Sequence, residues 1–153
     1  MFILKIDNNM KKSKLRGHQV VCSAFIEKDN KFLIVMCPRF KVRRVPWGRA
    51  EHWEKLEETL IREMGEETWI KFKNPKFIGF GQDQQYHIRG QRETSRLIMY
   101  YYVKTDKIAN LDPDEAEDFK WVTINELKWI KNKEWALTDL FERNADFSLN
   151  IIK

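Results

Sequence analysis

Two mainly apolar runs separated by a polar turn mark the first two strands of the chain. The segment HQVVCSAFIEKDNKFLIVMC predicts one strand from His18 to Glu27 and another from Lys31 to Cys37. Asp29 and Asn30 stand between them, and residues of this type accept the left-handed backbone of a tight turn. We therefore expect a β-hairpin.

Further strands are expected in the middle and late parts of the chain. Residues 71–88 read as a strand interrupted at Pro75, and residues 95–105, SRLIMYYYVKT, have the aromatic and apolar content of a buried strand. The polar span between them, Gln82 to Thr94, predicts a loop. The short run FKWVT, residues 119–123, predicts one more strand.

Apolar residues recur with a helical period in three places. The longest predicts a helix from about Glu54 to Thr68, after a basic loop from Arg39 to Arg49 that contains proline and glycine. A second helix begins near the Thr123 cap and covers INELKWI, and a third covers LTDLFERNA. Strands and helices alternate irregularly, without regular βαβ units. We predict an α/β fold, a mixed sheet sandwiched by helices, in one domain over residues 1–153.

Composition and charge narrow the class of protein. The 153 residues carry a formal charge of +5, with 33% charged residues of both signs, which fits a folded globular protein. Lys and Arg are spread along the chain, so the excess charge suits a small polyanion as well as it suits nucleic acid. Cys22 and Cys37 lie in apolar runs, and no apolar run is long enough to span a bilayer. We expect a protein of the reducing cytoplasm with no membrane partner.

Acidic residues on the longest predicted helix are the strongest candidates for chemistry. Its apolar face is formed by Leu56, Leu60, Ile61 and Met64. Glu63, Glu66 and Glu67 fall beside or within the edge of that face. Most acidic runs are solvated, but carboxylates clustered beside a core repel each other and lose hydration, so they need raised pKa values or a bound cation. The pattern indicates a Mg²⁺ or Mn²⁺ site for a phosphorylated substrate.

The same helix and the loop before it resemble the Nudix box, G-x5-E-x7-R-E-U-x-E-E-x-G-U, in which U is an aliphatic residue. The matching positions are Gly48, Glu54, Arg62, Glu63, Met64, Glu66, Glu67 and Ile70. Trp69 stands at the last glycine of the box, while NKFLIVM and EAEDFKWVTINEL look like the family's usual flanks. The resemblance implies a Nudix-type α/β/α sandwich with a mixed β-sheet. It also implies Mg²⁺-dependent hydrolysis of a nucleoside diphosphate linked to another group.

The resemblance assigns metal ligands among these residues. Glu63 and Glu67 are expected as principal ligands, and Glu66 as a further ligand or the general base. A backbone carbonyl near Gly48 often completes the metal shell in the family. A metal held by carboxylates neutralises charge on phosphate oxygens and activates a water for attack at phosphorus.

Two further residues of the motif would shape the site. Arg62 orients neighbouring acids in the family and is expected in the catalytic set with Glu63 and Glu66, although a solvent-exposed ion pair is the alternative. Glu54 would brace the loop against the helix.

Substrate contacts are expected outside the motif and are less specific. Tyr86 lies where family members that act on dinucleoside polyphosphates often have a tyrosine. The candidate phosphate contacts are Arg39, Arg44, Arg89, Arg92 and Arg96. Glu115 or Glu117, in the acidic stretch NLDPDEAED, is a candidate ligand or base from across the cleft. Simple packing or solvation is the alternative for each of these side chains.

Three tryptophans depart from the family's pattern, in which glycine is usual at the positions of Trp47, Trp53 and Trp69. The residue just past a helix is often left-handed, where a non-glycine side chain costs about 1 kcal/mol or somewhat more. Gly65 inside the helix costs roughly 1 kcal/mol relative to alanine. Trp47 and Trp53 are expected to crowd the phosphate loop. These features predict a less stable helix, and either weakened or altered catalysis.

The leading interpretation is a cytoplasmic hydrolase that uses Mg²⁺ or Mn²⁺ to cleave a nucleoside triphosphate or related nucleotide to a monophosphate and pyrophosphate. Its partner is a small-molecule nucleotide; nucleic acid is not expected as a partner, and a homodimer is left open. One alternative is hydrolysis of dinucleoside polyphosphates or ADP-sugars. Another is a weakened Nudix module that binds nucleotide or RNA, which the lost glycines and basic charge favour. A purely structural acidic helix has the motif register against it.

Overall fold

The computed structural model describes residues 19–38, 40–87, 92–107 and 117–144. Its strands are β1 (Gln19–Lys28), β2 (Lys31–Met36), β3 (Arg43–Arg44), β4 (Trp47–Arg49), β5 (Lys76–His87), β6 (Arg92–Lys104) and β7 (Glu117–Val122). Its helices are α1 (Leu56–Thr68), α2 (Ile124–Trp129) and α3 (Trp135–Arg143). Parts of the sequence predictions that fall on residues 1–18, 39, 88–91, 108–116 and 145–153 lie outside these ranges.

The predicted hairpin is confirmed. β1 and β2 pair antiparallel, and Lys28 stands opposite Lys31 at the last pair before the turn. Asp29 and Asn30 form the turn with φ of 51° and 62°, so both occupy the left-handed region that a two-residue hairpin turn requires. Asn and Asp tolerate this region better than most residues because their short side chains form local hydrogen bonds.

One mixed sheet contains the strands of the described ranges, in the order β3-β2-β1-β6-β5. β1 and β6 run parallel over the register from Gln19 opposite Arg96 to Glu27 opposite Lys104, and the other pairs are antiparallel. The short β4 pairs with β1, and β7 pairs with β2. The prediction of a mixed sheet between helices is confirmed.

The two faces of the sheet are buried by different helices. On one face, Leu60 and Met64 of α1 pack on a cluster that includes Cys22, Ala24, Ile26, Leu33 and Tyr101. On the other, α2 and α3 contribute Leu127, Leu137 and Leu140 to a cluster with Val21, Phe25, Phe32 and Ile98. Full burial of such a side chain contributes about 1.5–3 kcal/mol. Alternate residues of β1 therefore face opposite helices, which gives the three layers of the fold.

Several element boundaries differ from the sequence predictions. The expected loop from Gln82 to Thr94 is largely strand, because β5 continues to His87 and β6 begins at Arg92. Backbone pairing extends these strands where apolar alternation has ended, so periodicity missed them. The basic loop from Arg39 to Arg49 holds β3 and β4, which are too short to show any period. α1 begins two residues later than expected, and α3 two residues earlier.

The helix α3 lies close against β5 because that strand carries glycine. A Cβ atom at Gly81 would overlap the carbonyl oxygen of Ala136 in α3. The side chain of Asp139 in α3 accepts a hydrogen bond from the backbone N–H of Gln82 at 2.8 Å. A side chain of α3 thus satisfies a backbone donor of β5, the outermost strand on this side of the sheet.

Among the helices of the described ranges, none combines the length and the apolar content that a bilayer span requires.

Candidate metal-binding and hydrolytic site

The acids of α1 divide between a buried and an exposed side of the helix. Glu67 is 7% exposed, and the side chain of Glu63 is 18% exposed. Glu66 lies on the solvent side with 63% of its side chain exposed, so the expectation that three glutamates share the inward margin is wrong for this residue. Ile61, expected on the core face, is 42% exposed. The buried arc is narrower than expected, since Glu66 and Ile61 fall just beyond its two edges.

Arg62 is the centre of the acidic group. Its Nε and Nη2 atoms donate to the two carboxylate oxygens of Glu54 at 2.8 and 2.9 Å, and its Nη1 donates to Glu63 at 2.8 Å. Glu66 lies 3.5 Å from the same Nη1. Two-pronged contacts of this kind fix orientation as well as charge. Arg62 is thus not the simple exposed ion pair that was the alternative, since one guanidinium holds Glu54 and orients Glu63.

Glu54 joins the loop before α1 to the helix itself. Besides the two bonds from Arg62, it accepts hydrogen bonds from the backbone N–H of Glu51 at 3.0 Å and from the Thr59 hydroxyl at 3.2 Å. These donors, led by Arg62, lower the pKa of Glu54 to about 2. The bonds are those that a brace between loop and helix would make.

Because the folded-state pKa of Glu54 lies below its ordinary value of 4.5, its bonds stabilise the protein above about pH 4.5. That contribution is lost as the pH falls toward 2. We expect Glu54→Gln to lower the thermal midpoint at pH 6 and the difference from the unsubstituted protein to narrow steadily below pH 4.5. Differential scanning fluorimetry across this range measures it. A difference that stays constant with pH would contradict the assignment.

Gly48 provides the surface on which Glu63 lies. It sits in β4 opposite Cys22 of β1, and a Cβ atom there would overlap the Cγ and carboxylate atoms of Glu63. Only a residue without a side chain allows this approach. The glycine of the motif thus has a local physical reason, because it lets the strand and the glutamate occupy adjacent space.

The donor chemistry of this region fits a hard divalent cation. Glu63 and Glu67 stand one helical turn apart, both partly or largely buried, and Glu63 lies directly against Gly48. Within the described ranges no three Asp, Glu, His or Cys side chains are already grouped closely enough to hold an ion. Mg²⁺ commonly takes only one or two protein carboxylates and completes its shell with water and substrate phosphate. The residues therefore fit an open Mg²⁺ or Mn²⁺ site more closely than a closed protein cage.

The tryptophan that replaces the last glycine of the box adopts the glycine conformation. Trp69 follows α1 with φ of 59°, and its backbone N–H donates to the carbonyl of Gly65 at 3.1 Å. Trp53 has φ of 75° and is fully exposed. The expectation of a left-handed residue after the helix is confirmed by the backbone of Trp69. The expectation that the Trp53 ring crowds the phosphate loop is wrong. Its backbone geometry turns that ring to solvent.

Replacing Trp69 with glycine should raise the free energy of unfolding by about 1 kcal/mol, because the left-handed backbone then carries no side-chain penalty. In a chain of this length, about 1 kcal/mol corresponds to a rise of roughly 2–4 °C in the thermal midpoint. Urea denaturation followed by far-UV circular dichroism measures the change. A lower stability would mean that the exposed indole makes contacts worth more than the backbone strain.

Two of the arginines that were expected to contact phosphate are buried in the structure. Arg96 is 2% exposed and Arg44 is 3% exposed, so neither guanidinium faces solvent in this conformation. Arg39 lies outside the described ranges. Tyr86 is in β5 and Glu117 begins β7 rather than lying in a loop, and the side chains of both lie outside the described atoms. Arg89 and Glu115 are also outside the described ranges, and Arg92 opens β6.

Arg96 belongs to a buried ionic cluster that the sequence did not reveal. Asp83 accepts from its Nε and Nη2 atoms at 2.8 and 2.5 Å, and Glu134 lies 3.2 Å from Nη2. Asp83 also accepts the backbone N–H of Ala136 at 3.2 Å, which ties the cluster to the start of α3. Burial raises the pKa of Glu134 despite the nearby arginines. Asp83 was hidden within the expected loop, and no motif drew attention to Glu134.

An open cleft of about 400 Å³ borders this cluster. It is lined by Gln82, Asp83, Gln84 and Trp135. Trp135 is 70% exposed and forms an aromatic wall beside the two amide side chains. Its residues come from two distant segments, so no local sequence pattern predicts it.

Comparison with known proteins agrees with the motif and the fold. Residues 17–143 match the NUDIX domain family. The uncharacterised Nudix hydrolase YvcI of Bacillus subtilis is 28% identical over 113 residues, which cover 72% of this chain and 69% of that protein. The NAD-capped RNA hydrolase NudC of Pseudomonas putida KT2440 is 26% identical over 109 residues, which cover 67% of this chain and 35% of NudC.

Solved structures show the same fold at low sequence identity. The MutT protein of Methanosarcina mazei Go1 superposes with a TM-score of 0.72 at 18% identity, covering 87% of this chain and 98% of that one. The NUDIX domain of Shewanella oneidensis NrtR, crystallised with ADP ribose, gives a TM-score of 0.63 at 16% identity, covering 94% and 95%. With the family match extending over residues 17–143 and the motif in register on α1, this chain belongs to the NUDIX domain family.

Proposed function

We propose that this protein is a hydrolase that uses Mg²⁺ or Mn²⁺ to cleave the phosphoanhydride of a nucleoside triphosphate or related nucleotide, releasing a monophosphate and pyrophosphate. The observation that carries the proposal is the arrangement around Arg62. This one guanidinium holds Glu54 and Glu63 in fixed positions, and Glu67 lies one turn from Glu63 on the buried side of the helix. A solvated surface run of acids has no need of such an arrangement.

Each residue of the site would have a separate role in metal binding or proton transfer. Glu63 and Glu67 would hold the ion, Gly48 would let Glu63 lie against β4, and Arg62 would hold Glu63 in orientation. A divalent ion bound there would neutralise charge on phosphate oxygens and lower the pKa of a water molecule. Glu66 reaches solvent, so of these carboxylates it is the one best placed to accept a proton from the attacking water and release it to bulk.

Two other functions are supported by particular observations. Hydrolysis of a dinucleoside polyphosphate or an ADP-sugar is the nearer alternative, since a structural neighbour was crystallised with ADP ribose. The other is a module that binds nucleotide or RNA without turnover. It is favoured by Trp53 and Trp69, which hold left-handed backbone positions where family members usually have glycine.

The decisive assay incubates the purified protein with Mg²⁺ or Mn²⁺ and a panel of nucleoside triphosphates, dinucleoside polyphosphates and ADP ribose, and identifies the products by chromatography. Glu67→Gln should lower turnover by about 100-fold or more, because a neutral amide is a poor ligand for a hard cation. Glu142→Gln, the same change at an exposed position of α3, serves as the control and should leave turnover unchanged.

The outcome separates the three candidates. Cleavage of triphosphates to monophosphate and pyrophosphate supports the proposal, and cleavage of only the other substrates supports the nearer alternative. Saturable nucleotide binding with no product, under every metal tried, would replace the hydrolase with a binding module. Equal turnover by Glu67→Gln and the unsubstituted protein would remove Glu67 from the metal site.

A further inference from the structure

The two adjacent residues of β4, Trp47 and Gly48, face opposite sides of the sheet. Gly48 lies against Glu63 on the side covered by α1. Trp47 packs on the opposite apolar cluster, the one completed by α2 and α3. We expected from the sequence that this ring would crowd the phosphate loop. It does not do so from the side of Glu63. Trp47 and Gly48 are adjacent in the strand and point to opposite faces. A shift of the Trp47 ring that carries its backbone along would therefore displace Gly48 as well.

The ring of Trp47 lies within cation–π distance of two buried cations. The guanidinium carbon of Arg44 lies 4.6 Å from the ring centroid, and that of Arg96 lies 5.5 Å from it. Both distances are within the range of a cation–π interaction, which strengthens when the partners are shielded from water. Arg96 is itself fixed by the two bonds to Asp83 and the contact with Glu134. The indole thus packs against groups that have little freedom to move.

Backbone contacts hold β4 to β1 through three paired residues and through the hydrogen bond from the backbone N–H of Ala24 to the carbonyl of Pro46 at 3.0 Å. The Ser23 hydroxyl adds one bond to the same carbonyl at 2.8 Å. The indole N–H of Trp47 is buried and has no hydrogen-bond acceptor among the described residues. An unsatisfied buried donor is unfavourable, so its hydrogen bonding does not account for the place of this ring. The contacts of the ring with Arg44 and Arg96 do.

We propose that Trp47 is a positioning residue for the metal site. Its ring, which contacts the guanidiniums of Arg44 and Arg96, fixes the backbone of Gly48 against Glu63 and so keeps a ligand carboxylate in its working position. The inference rests on the proposed function in one respect, namely that Glu63 binds the metal. Trp47 stands at a position where the family usually has glycine. The inference gives this residue a role in the site, so that it is no longer explained only as a defect of the motif.

The test measures the affinity of the intact protein for Mn²⁺, by electron paramagnetic resonance of the free ion. Trp47→Met, which keeps apolar volume but has no ring, should weaken Mn²⁺ binding about tenfold. Trp47→Phe, which keeps a ring face for the two guanidiniums, should stay within about threefold of the unsubstituted protein. Trp129→Met is the matched control, because that ring is 84% exposed, and it should leave Mn²⁺ binding unchanged.

A second readout follows the backbone directly. Hydrogen exchange at the Gly48 amide should accelerate in Trp47→Met and remain slow in Trp47→Phe and Trp129→Met. If Trp47→Met does not fold, Arg44→Gln, which removes the nearer cation and keeps a polar side chain, carries the same two expectations.

The results distinguish this inference from the proposed function. A folded Trp47→Met that binds Mn²⁺ as tightly as the unsubstituted protein overturns the inference and leaves the hydrolase intact. If the unsubstituted protein binds no Mn²⁺ and cleaves no nucleotide, the proposed function fails and the metal-positioning role fails with it. Weaker Mn²⁺ binding in Trp47→Met, with rescue by Trp47→Phe, supports both.

Discussion

Gly48→Ala should lower the rate of nucleotide hydrolysis by about 100-fold while the protein remains folded. The added methyl group would overlap the side chain of Glu63, so either the carboxylate turns away or β4 shifts from α1. Displacing a metal ligand by the width of one methyl group is enough to disturb the geometry that phosphoryl transfer requires. Steady-state kinetics on the substrate found in the panel, with circular dichroism as a check of folding, measures the effect.

Gly65→Ala is the matched control for this prediction. The same change is made in α1, but nothing lies within 4 Å of the added Cβ. Alanine is also the better helix former, so the free energy of unfolding should rise by about 1 kcal/mol with turnover unchanged. Full activity in Gly48→Ala would show that turnover does not depend on Glu63 lying against β4, and would refute the assignment of its present position to the metal site.

Asp83→Ala should destabilise the protein by about 3–5 kcal/mol, the largest stability effect that we expect from one substitution. Arg96 would keep its positive charge in a site where its side chain is 2% exposed, with the contact to Glu134 at 3.2 Å as the closest remaining ion pair. The backbone N–H of Ala136 would lose its acceptor as well. Urea denaturation measures the change in the free energy of unfolding.

Arg143→Ala provides the comparison with an exposed pair. Arg143 is 42% exposed and pairs with Asp139 at 2.8 Å over one turn of α3, a setting in which an ion pair contributes about 0.3–0.5 kcal/mol. A loss of less than about 1 kcal/mol in Asp83→Ala would place it with such surface pairs. That result would show that water reaches Arg96 or that Glu134 takes over the whole of its charge.

The parts of the fold that the sequence predicted are those with a local cause. The hairpin turn at Asp29 and Asn30 and the cap of α2 at Thr123 depend on residues within a few positions of one another. The burial of Glu67 followed from its angle on the helix. The cytoplasmic location, the single domain over residues 1–153 and the homodimer stay predictions.

The parts that the sequence did not predict depend on contacts between distant segments. Arg96 and Asp83 stand opposite each other on paired strands, and Glu134, the residue before α3, lies 3.2 Å from Arg96. An arginine in such a cluster has no local signature that separates it from one that faces solvent, so its burial could not be predicted from the sequence. Likewise, the inward turn of Trp47 depends on Arg44 and Arg96, which no spacing along the chain connects to it.

The unequal sharing of the Arg62 guanidinium between its acids has a consequence for charge balance. Two of its bonds go to Glu54 and one to Oε1 of Glu63, so Glu63 can bind an incoming cation while Arg62 stays where it is. The carboxylate would then gain a second counter-ion while it keeps the first. The resting protein would in this way store its ligand in a neutralised form, which limits the mutual repulsion of neighbouring acids before loading.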